Sequence, residues 1–342
     1  MPNQRDIARL LGISQGAVSL ALRSDRSISA DLCKRVQTVA KKLNYRPNPY
    51  VSSLMSQIRV SRRPSTNGVI ALVVDHYPED EWRRHESYRV YFDGVVKRAE
   101  QLGYHIECFF LLAPGMTASR IDRILQARGI RGLILAPPYF GNRRLNMRWS
   151  HYACVGTGYA WEQQQFDRVA HDHDQNAVLA FQNLRIRDYL RIGLVLPAFY
   201  VEGRGTRWLD GFLLCQHGIP EEQRLPPFIG SPEENSFADF KKWHAKWRPD
   251  ALLTLYGHEM KWLEALHLRV PQDIGLACLI RPLDSFFAGI DDRYAEIGGA
   301  AVELTASKIG FNHYGIPQYP RLLLIDGQWI DGKSVRRRRR HS

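Results

Sequence analysis

The chain is 342 residues long, enough for two or three domains around a large buried core. Its net charge of +12 is segregated: residues 1–63 hold twelve Lys and Arg against three acids, residues 336–340 are five consecutive arginines, and the remainder stands at −2. A near-neutral body with a basic head excludes a uniformly basic solvated surface and implies a polyanionic partner for the head, since phosphate neutralisation dominates nucleic-acid affinity. The five cysteines (Cys33, Cys108, Cys154, Cys215, Cys278) are odd in number and form no C-x-x-C pair, which argues against a disulfide framework or a structural zinc and fits a reducing cytoplasm. No signal sequence is legible and no apolar run reaches the roughly 18 residues that span a bilayer. The expected location is cytoplasmic, with no membrane partner.

Residues 4–23 read QRDIARLLGISQGAVSLALR. Ile7, Ala8, Leu10 and Leu11 recur at helical spacing, Gly12-Ile13 breaks the pattern, and a second helix carries Val18, Ala21 and Leu22. Asn3 and Ser14 stand where N-caps belong, their side chains able to accept from backbone N–H groups of the first turn. Gly12 supplies the turn, because glycine reaches positive φ without steric cost. Two short helices about a glycine turn are the helix-turn-helix plan, whose second helix enters a DNA major groove. The alternative is an ordinary helical hairpin. Ser29 then caps a third helix over 30–43 with Leu32, Val36, Val39, Ala40 and Leu43 on one face. Asn48-Pro49 reads as cap and first residue of a short helix over 50–56.

In order and spacing, Asp6-Ile7-Ala8, Gly12-Ile13-Ser14, Ala17-Val18-Ser19, Ala21-Leu22, Asn44-Tyr45-Arg46-Pro47-Asn48 and Leu54 resemble the headpiece and hinge of the LacI/GalR transcriptional regulators. The resemblance implies a sequence-specific regulator, a repressor by preference, with no enzymatic activity and no cofactor. It implies a homodimer on a pseudo-palindromic double-stranded operator, and a small-molecule effector, carbohydrates among the candidates. On the recognition helix, Gln15 can pair with an adenine edge, Leu20 can meet a thymine methyl, and Gly16 allows close approach. Ser14, Ala17 and Ser19 suit phosphates or packing, and Arg23 and Arg26 are the strong donors nearby. Family members usually carry a polar or basic residue where Leu20 stands. Leu54, with Met55 beside it, matches the family's minor-groove wedge. The hinge helix falls below the roughly 12 residues at which an isolated helix becomes stable, so it is expected to fold on DNA.

Residues 59–67 read as a linker. Short apolar runs then alternate with amphipathic helices: strands over 69–74, 105–112, 132–136, 152–155, 191–196, 251–255 and 274–279, helices over 87–102, 117–128, 174–184, 206–217, 237–247 and 258–266. The alternation predicts an α/β core of two doubly wound parallel-sheet subdomains behind a small all-α helix-turn-helix headpiece. The resemblance adds a type I periplasmic-binding-protein-like architecture with three crossings, placed near His171, Ile290 and Pro320. The expected divisions are 1–46 headpiece, 47–66 hinge and linker, 67–170 with 291–320 as one subdomain, 171–290 with 321–335 as the other, and 336–342 as a basic tail.

The family's ligand lies between the subdomains, and here the chain departs from it. Trp208 stands where an arginine is usual, Tyr256-Gly257 replace an Asn-Asp pair, and Ile280-Arg281 replace an acid. Either the ligand is less hydroxylated and stacks on Trp208 and Tyr256, or the cleft has lost its ligand. Tyr77, Trp161, Asp172 and Arg281 are further candidates. Two motifs are set aside. GQWIDGKS at 327–334 has Walker A spacing, but no helix follows to hold phosphate. His171-Asp172-His173-Asp174 has metal-ligand residue types, but alternating strand residues face opposite ways and a subdomain crossing is the preferred reading. A solute-binding or sugar-processing protein with an incidental headpiece, and an ATPase, are the alternatives from other classes.

Overall fold

The computed structural model describes residues 3–22, 28–43, 45, 68–76, 79–137, 145–159, 165–198, 206–230, 236–283 and 285–337. The first three helices, α1 (Gln4–Leu11), α2 (Gln15–Leu22) and α3 (Ala30–Lys42), have a core of their own in which Ile7, Val18, Ala21 and Val36 are fully enclosed. Their starts follow from the sequence. The Asn3 side chain accepts from the N–H groups of Arg5 and Asp6, while Asp6 accepts from Asn3 N–H at 2.9 Å, a reciprocal capping box. Ser14 Oγ accepts from Ala17 N–H at 3.1 Å and Ser29 Oγ from Leu32 N–H at 3.3 Å. Gly12 ends α1 in the left-handed region at φ 64°. Leu10, read as part of the apolar face, is 64% exposed: α2 and α3 cover the Ile7–Ala8–Leu11 side of α1 and leave its other side to solvent.

The body contains two six-stranded sheets. The first runs in the order β11-β5-β4-β3-β1-β2 and is parallel throughout, with β1 (Val69–Val74), β2 (His105–Phe110), β3 (Gly132–Leu135), β4 (Ala153–Thr157), β5 (Asp167–His171) and β11 (Leu322–Ile325). Helices α4 (Glu79–Arg84), α5 (Glu86–Gln101), α6 (Ala118–Ala127) and α11 (Tyr294–Gly310) belong to it. The second runs β12-β10-β9-β8-β6-β7, with β6 (Ile192–Pro197), β7 (Phe228–Gly230), β8 (Ala251–Thr254), β9 (Gly275–Cys278), β10 (Ala288–Asp291) and β12 (Gln328–Ile330). It is parallel except for β12, which pairs antiparallel with β10. Its helices are α7 (His173–Arg185), α8 (Thr206–His217), α9 (Ser236–Trp247) and α10 (Met260–Ala265). Helices cover both faces, so a central strand such as β1 buries Ile70 to Val74 without alternation, which is why it reads as a continuous apolar run.

Helix α11 had no reading in the sequence. It carries Gly298 and Gly299, which lower helix propensity, and it is apolar on two sides because it lies between the first sheet and α5. The glycines are what allow the packing. A Cβ on Gly94 of α5 would lie 2.1 Å from the Ala295 carbonyl, and one on Gly298 would lie 2.4 Å from that of Tyr91. Strands β5, β7, β10, β11 and β12 are also absent from the sequence reading.

The chain passes between the sheets three times: between β5 and α7, between β10 and α11, and between β11 and β12. The third passage corrects the expected boundary at Pro320. Residues 322–325 pair with β5 in the first sheet, so the crossing falls at Asp326-Gly327 and 321–325 do not belong with the second subdomain. The attachment of β11 is electrostatic as well as hydrogen-bonded. Asp167, at the start of β5, is 1% exposed and receives Lys308 Nζ from α11 at 2.6 Å, together with the Arg321 backbone N–H at 2.9 Å and guanidinium at 3.0 Å. Burial pushes the Asp167 carboxyl up, but Arg321 and Lys308 outweigh it and hold the group at about 2. In the Walker-like stretch, β12 occupies the interior of the would-be loop. Ser334 is buried, donating to the Leu276 carbonyl and accepting from Ala288 N–H, so the hydroxyl is part of the sheet packing.

Candidate nucleic-acid interface and inter-subdomain cleft

Helix α2 turns Val18 and Ala21 inward and leaves Ser14, Gln15 and Gly16 exposed, with Ala17, Ser19 and Leu20 half-buried beside them. The predicted face of the recognition helix is thus the outward face, apart from its partly packed centre. Gln15 is in weak contact with Arg5, whose Nε donates to Oε1 at 3.4 Å, so an adenine edge would compete with a marginal bond. Arg5, Arg9, Lys34, Arg35, Lys41 and Lys42 are all exposed on the headpiece. Arg23, Arg26, Asn48, Leu54 and Met55 lie outside the described residues, as do Tyr77 and Trp161.

The three crossings are tied by one hydrogen-bonded knot. His171 donates from Nδ1 to the Asp292 carbonyl at 2.9 Å, joining the first crossing to the second. Asn176 Nδ2 donates to Asp292 Oδ1 at 2.8 Å, and Asn176 Oδ1 accepts from Gly327 N–H at 2.8 Å, joining the second to the third. Asp172 N–H donates to the Ile325 carbonyl at 3.0 Å. Burial keeps the imidazoles neutral, depressing His171 to about 4 against the opposing bond to the Asp292 carbonyl, and taking His173 well down. Burial, with Asp291 nearby, pushes the Asp292 carboxyl well up.

On the cleft side, Asp172 caps α7 by accepting from Gln175 N–H at 3.0 Å. Trp208 is 3% exposed, and its ring stacks on His173 with centroids 3.8 Å apart. Arg207 pairs with Asp174 at 3.1 Å and lies 4.4 Å over the Tyr159 ring, which reaches it from the first subdomain. Tyr159 in turn donates to the His171 carbonyl at 2.6 Å. Arg281 donates to the carbonyls of Phe287 and Ser285 and so staples its own loop. Tyr256 is half-buried, its ring 5.7 Å from that of His258. A second bridge between the subdomains runs from Leu283 N–H to Glu86 Oε2 at 2.9 Å. Sequence reasoning missed Tyr159, Asn176, Glu86 and Asp292. No local spacing marks them, since each acquires its role through a partner more than a hundred residues away or on the opposite subdomain. The four residues 171–174 are accounted for as hinge bond, helix cap, ring stack and ion pair. Among the described residues no group of three or more His, Cys, Asp or Glu is arranged to hold a metal ion, and no helix is long and apolar enough to cross a membrane.

Residues 4–48 match the family described as bacterial regulatory proteins, lacI family. Among curated proteins no sequence matches the chain. Solved structures share the fold across its whole length. A complex of the transcriptional regulator CelR with cellobiose superposes with a TM-score of 0.58 at 18% identity, covering 98% of this chain and 100% of that one. The Lac repressor dimer bound to operator and the anti-inducer ONPF gives 0.58 at 16% identity, covering 98% and 99%. A lacI-family regulator from Enterococcus faecium with bound ribose gives 0.54 at 13% identity over 78% of this chain and 98% of that one. The chain therefore has the periplasmic-binding-protein-like core and helical headpiece of these regulators.

Proposed function

We propose, on the premise that residues 4–48 match the lacI family of bacterial regulatory proteins, that the protein is a sequence-specific transcriptional regulator, in the repressing sense, that binds a pseudo-palindromic duplex as a homodimer. The observation that carries this is the outward face of α2, with Gln15 and Gly16 exposed above a closed helical core, on a headpiece that also exposes six basic side chains on α1 and α3. Gln15 reads an adenine edge, Leu20 lies against a thymine methyl, and the lysines and arginines hold phosphates. No catalytic role is assigned to any residue of the chain.

In this reading Leu54 is the minor-groove wedge. Leu54→Ala should cost about 2 kcal/mol on the specific duplex, the usual range for a fully buried leucine. It should leave binding to random DNA nearly unchanged, so the specificity ratio falls by roughly tenfold or more. Equal losses on both duplexes, measured by fluorescence anisotropy, contradict the wedge.

The effector reading is supported by the fold and by the cellobiose- and ribose-bound relatives. Trp208 and Arg281 are engaged inside the protein, so stacking falls to Tyr256, with Asp172 beside the crossing. A ligand that binds the native state raises its melting temperature. Screening neutral mono- and disaccharides against the full chain should give a shift that Tyr256→Ala removes. No shift across such a panel favours a cleft without a ligand, in which the Arg207–Tyr159 and Glu86–Leu283 contacts hold the subdomains together unaided.

A further inference from the structure

The second crossing, Asp291-Asp292-Arg293 between β10 and α11, holds a buried acid where the chain turns from one subdomain into the other. The Asp292 side chain is 0% exposed. Its Oδ1 accepts from Asn176 Nδ2 of α7 at 2.8 Å, and among the described residues its Oδ2 has no hydrogen-bond partner and no Lys or Arg pairs with it. His171, at the end of β5, brings Nδ1 to 4.0 Å from Oδ2, but that ring donates to the Asp292 carbonyl and is kept neutral by burial. His173, stacked on His171 at 5.4 Å, is neutral for the same reason. The other charges of α7 are engaged: Asp172 accepts from Gln175 N–H and Asp174 pairs with Arg207. Asp291 accepts from Arg293 N–H at 2.9 Å, while the Arg293 guanidinium turns to Gln328 at 2.9 Å. Gly327 reaches the knot through Asn176, and Tyr294 of α11 lies 4.6 Å from the His171 ring; neither brings a charge. A carboxylate here would lose its hydration with little in return, whereas the neutral acid fits. Arg293 itself stands in the left-handed region at φ 54°, so the backbone holds strain where a rotation would act.

From this arrangement we infer that the second crossing is a proton-operated hinge: the subdomains close with Asp292 as a neutral carboxylic acid, and when they part its carboxyl meets water and gives one proton to solvent. The bonds that hold Asp292 come from both sides, from His171 of the first subdomain and Asn176 of the second, so a rotation of one subdomain on the other shears them. Domains joined by short crossings move relative to one another unless a large apolar interface holds them. Burial, with Asp291 beside it, pushes the enclosed carboxyl well above the ordinary 3.8, to which a solvated carboxyl returns. The closed form therefore binds more protons than the open one. Closure is favoured at acid pH and loses that support as pH rises from 3.8 through the raised value. By the same linkage, a ligand that closes the cleft takes up a proton. None of this depends on the regulator reading.

The test is amide hydrogen exchange on the full chain, read on peptides containing Asp172 and Gly327, whose N–H groups bond across the crossings. Protection, corrected for the intrinsic pH dependence of exchange, follows the opening equilibrium. In the wild type it should fall at least tenfold between about pH 5 and about pH 7, one proton being released per opening. In Asp292→Asn, which keeps the shape of the neutral acid and cannot ionise, it should stay constant over the same range. A wild-type profile without the fall, or the same fall in Asp292→Asn, overturns the inference. An equal fall in peptides of β1 marks global unfolding and overturns it as well. Asp291→Asn removes the neighbouring like charge, so its fall should level off at a lower pH than that of the wild type. If Asp292→Asn does not fold, an Asp291→Asn profile identical to the wild type's overturns the inference.

Discussion

Replacing Asp167 with Asn should destabilise the body by about 3–5 kcal/mol, the range for breaking a buried ion pair from one side. Lys308 is 3% exposed and would be left as a buried ammonium without its carboxylate, while Arg321, largely in solvent, would lose its hold on the start of β11. For a unit of this size, that corresponds to a fall in melting temperature of roughly 6–20 °C. The double variant Asp167→Asn/Lys308→Met should recover a good part of the loss, because it removes the stranded charge. A double variant no better than the single one would mean that the ion pair is not the cause. The same carboxylate sets an acid limit. Its folded pKa of about 2 lies below the ordinary 3.8, so its contribution is complete above that value and is lost as pH falls towards 2. In Asp167→Asn, this part of the acid dependence of melting should be missing.

Val18→Asp should abolish sequence-specific DNA binding while leaving the melting of the body unchanged. Val18 is fully buried where α2 meets α1 and α3, and a carboxylate there has no partner to offset several kcal/mol of desolvation. A core closed by three short helices has little stability in reserve. Binding to the specific duplex should drop to the level of a random one, a loss of about 10³-fold or more given the usual ratio between the two modes. Retained specificity would place the recognition element outside the headpiece.

These two sites also mark what the sequence could and could not reveal. The headpiece is legible because its determinants are local. Asn3, Gly12, Ser14 and Ser29 act within a few residues of themselves, and Ile7, Val18 and Val36 fall at helical spacing along one short segment. Part of the body's alternation is legible for the same reason, whereas the short strands β5, β7, β10, β11 and β12 and the glycine-bearing α11 are not. Asp167, Lys308 and Arg321 are not legible as a unit, since only the return of β11 beside β5 brings them together. The run Leu322–Ile325 gives no sign of which sheet it joins, so the sequence alone puts the third crossing before the strand instead of after it. Trp208 shows the limit for site residues. Its type and position suggested a stacking surface, whereas the identity of what stacks on it, His173, depends on how α7 and α8 pack.

The central claim is that the headpiece binds a specific duplex through phosphates and a few base edges. It is tested most directly by a salt titration on a duplex selected from random sequence, using the chain with serine at 336–340 so that the headpieces alone contribute. A dimer making about eight phosphate contacts should give a slope of log affinity against log salt near −7, at about −0.9 per contact, alongside a preference of about 10³-fold or more over random DNA. A slope near zero, or equal affinity for the selected and random duplexes, would contradict it.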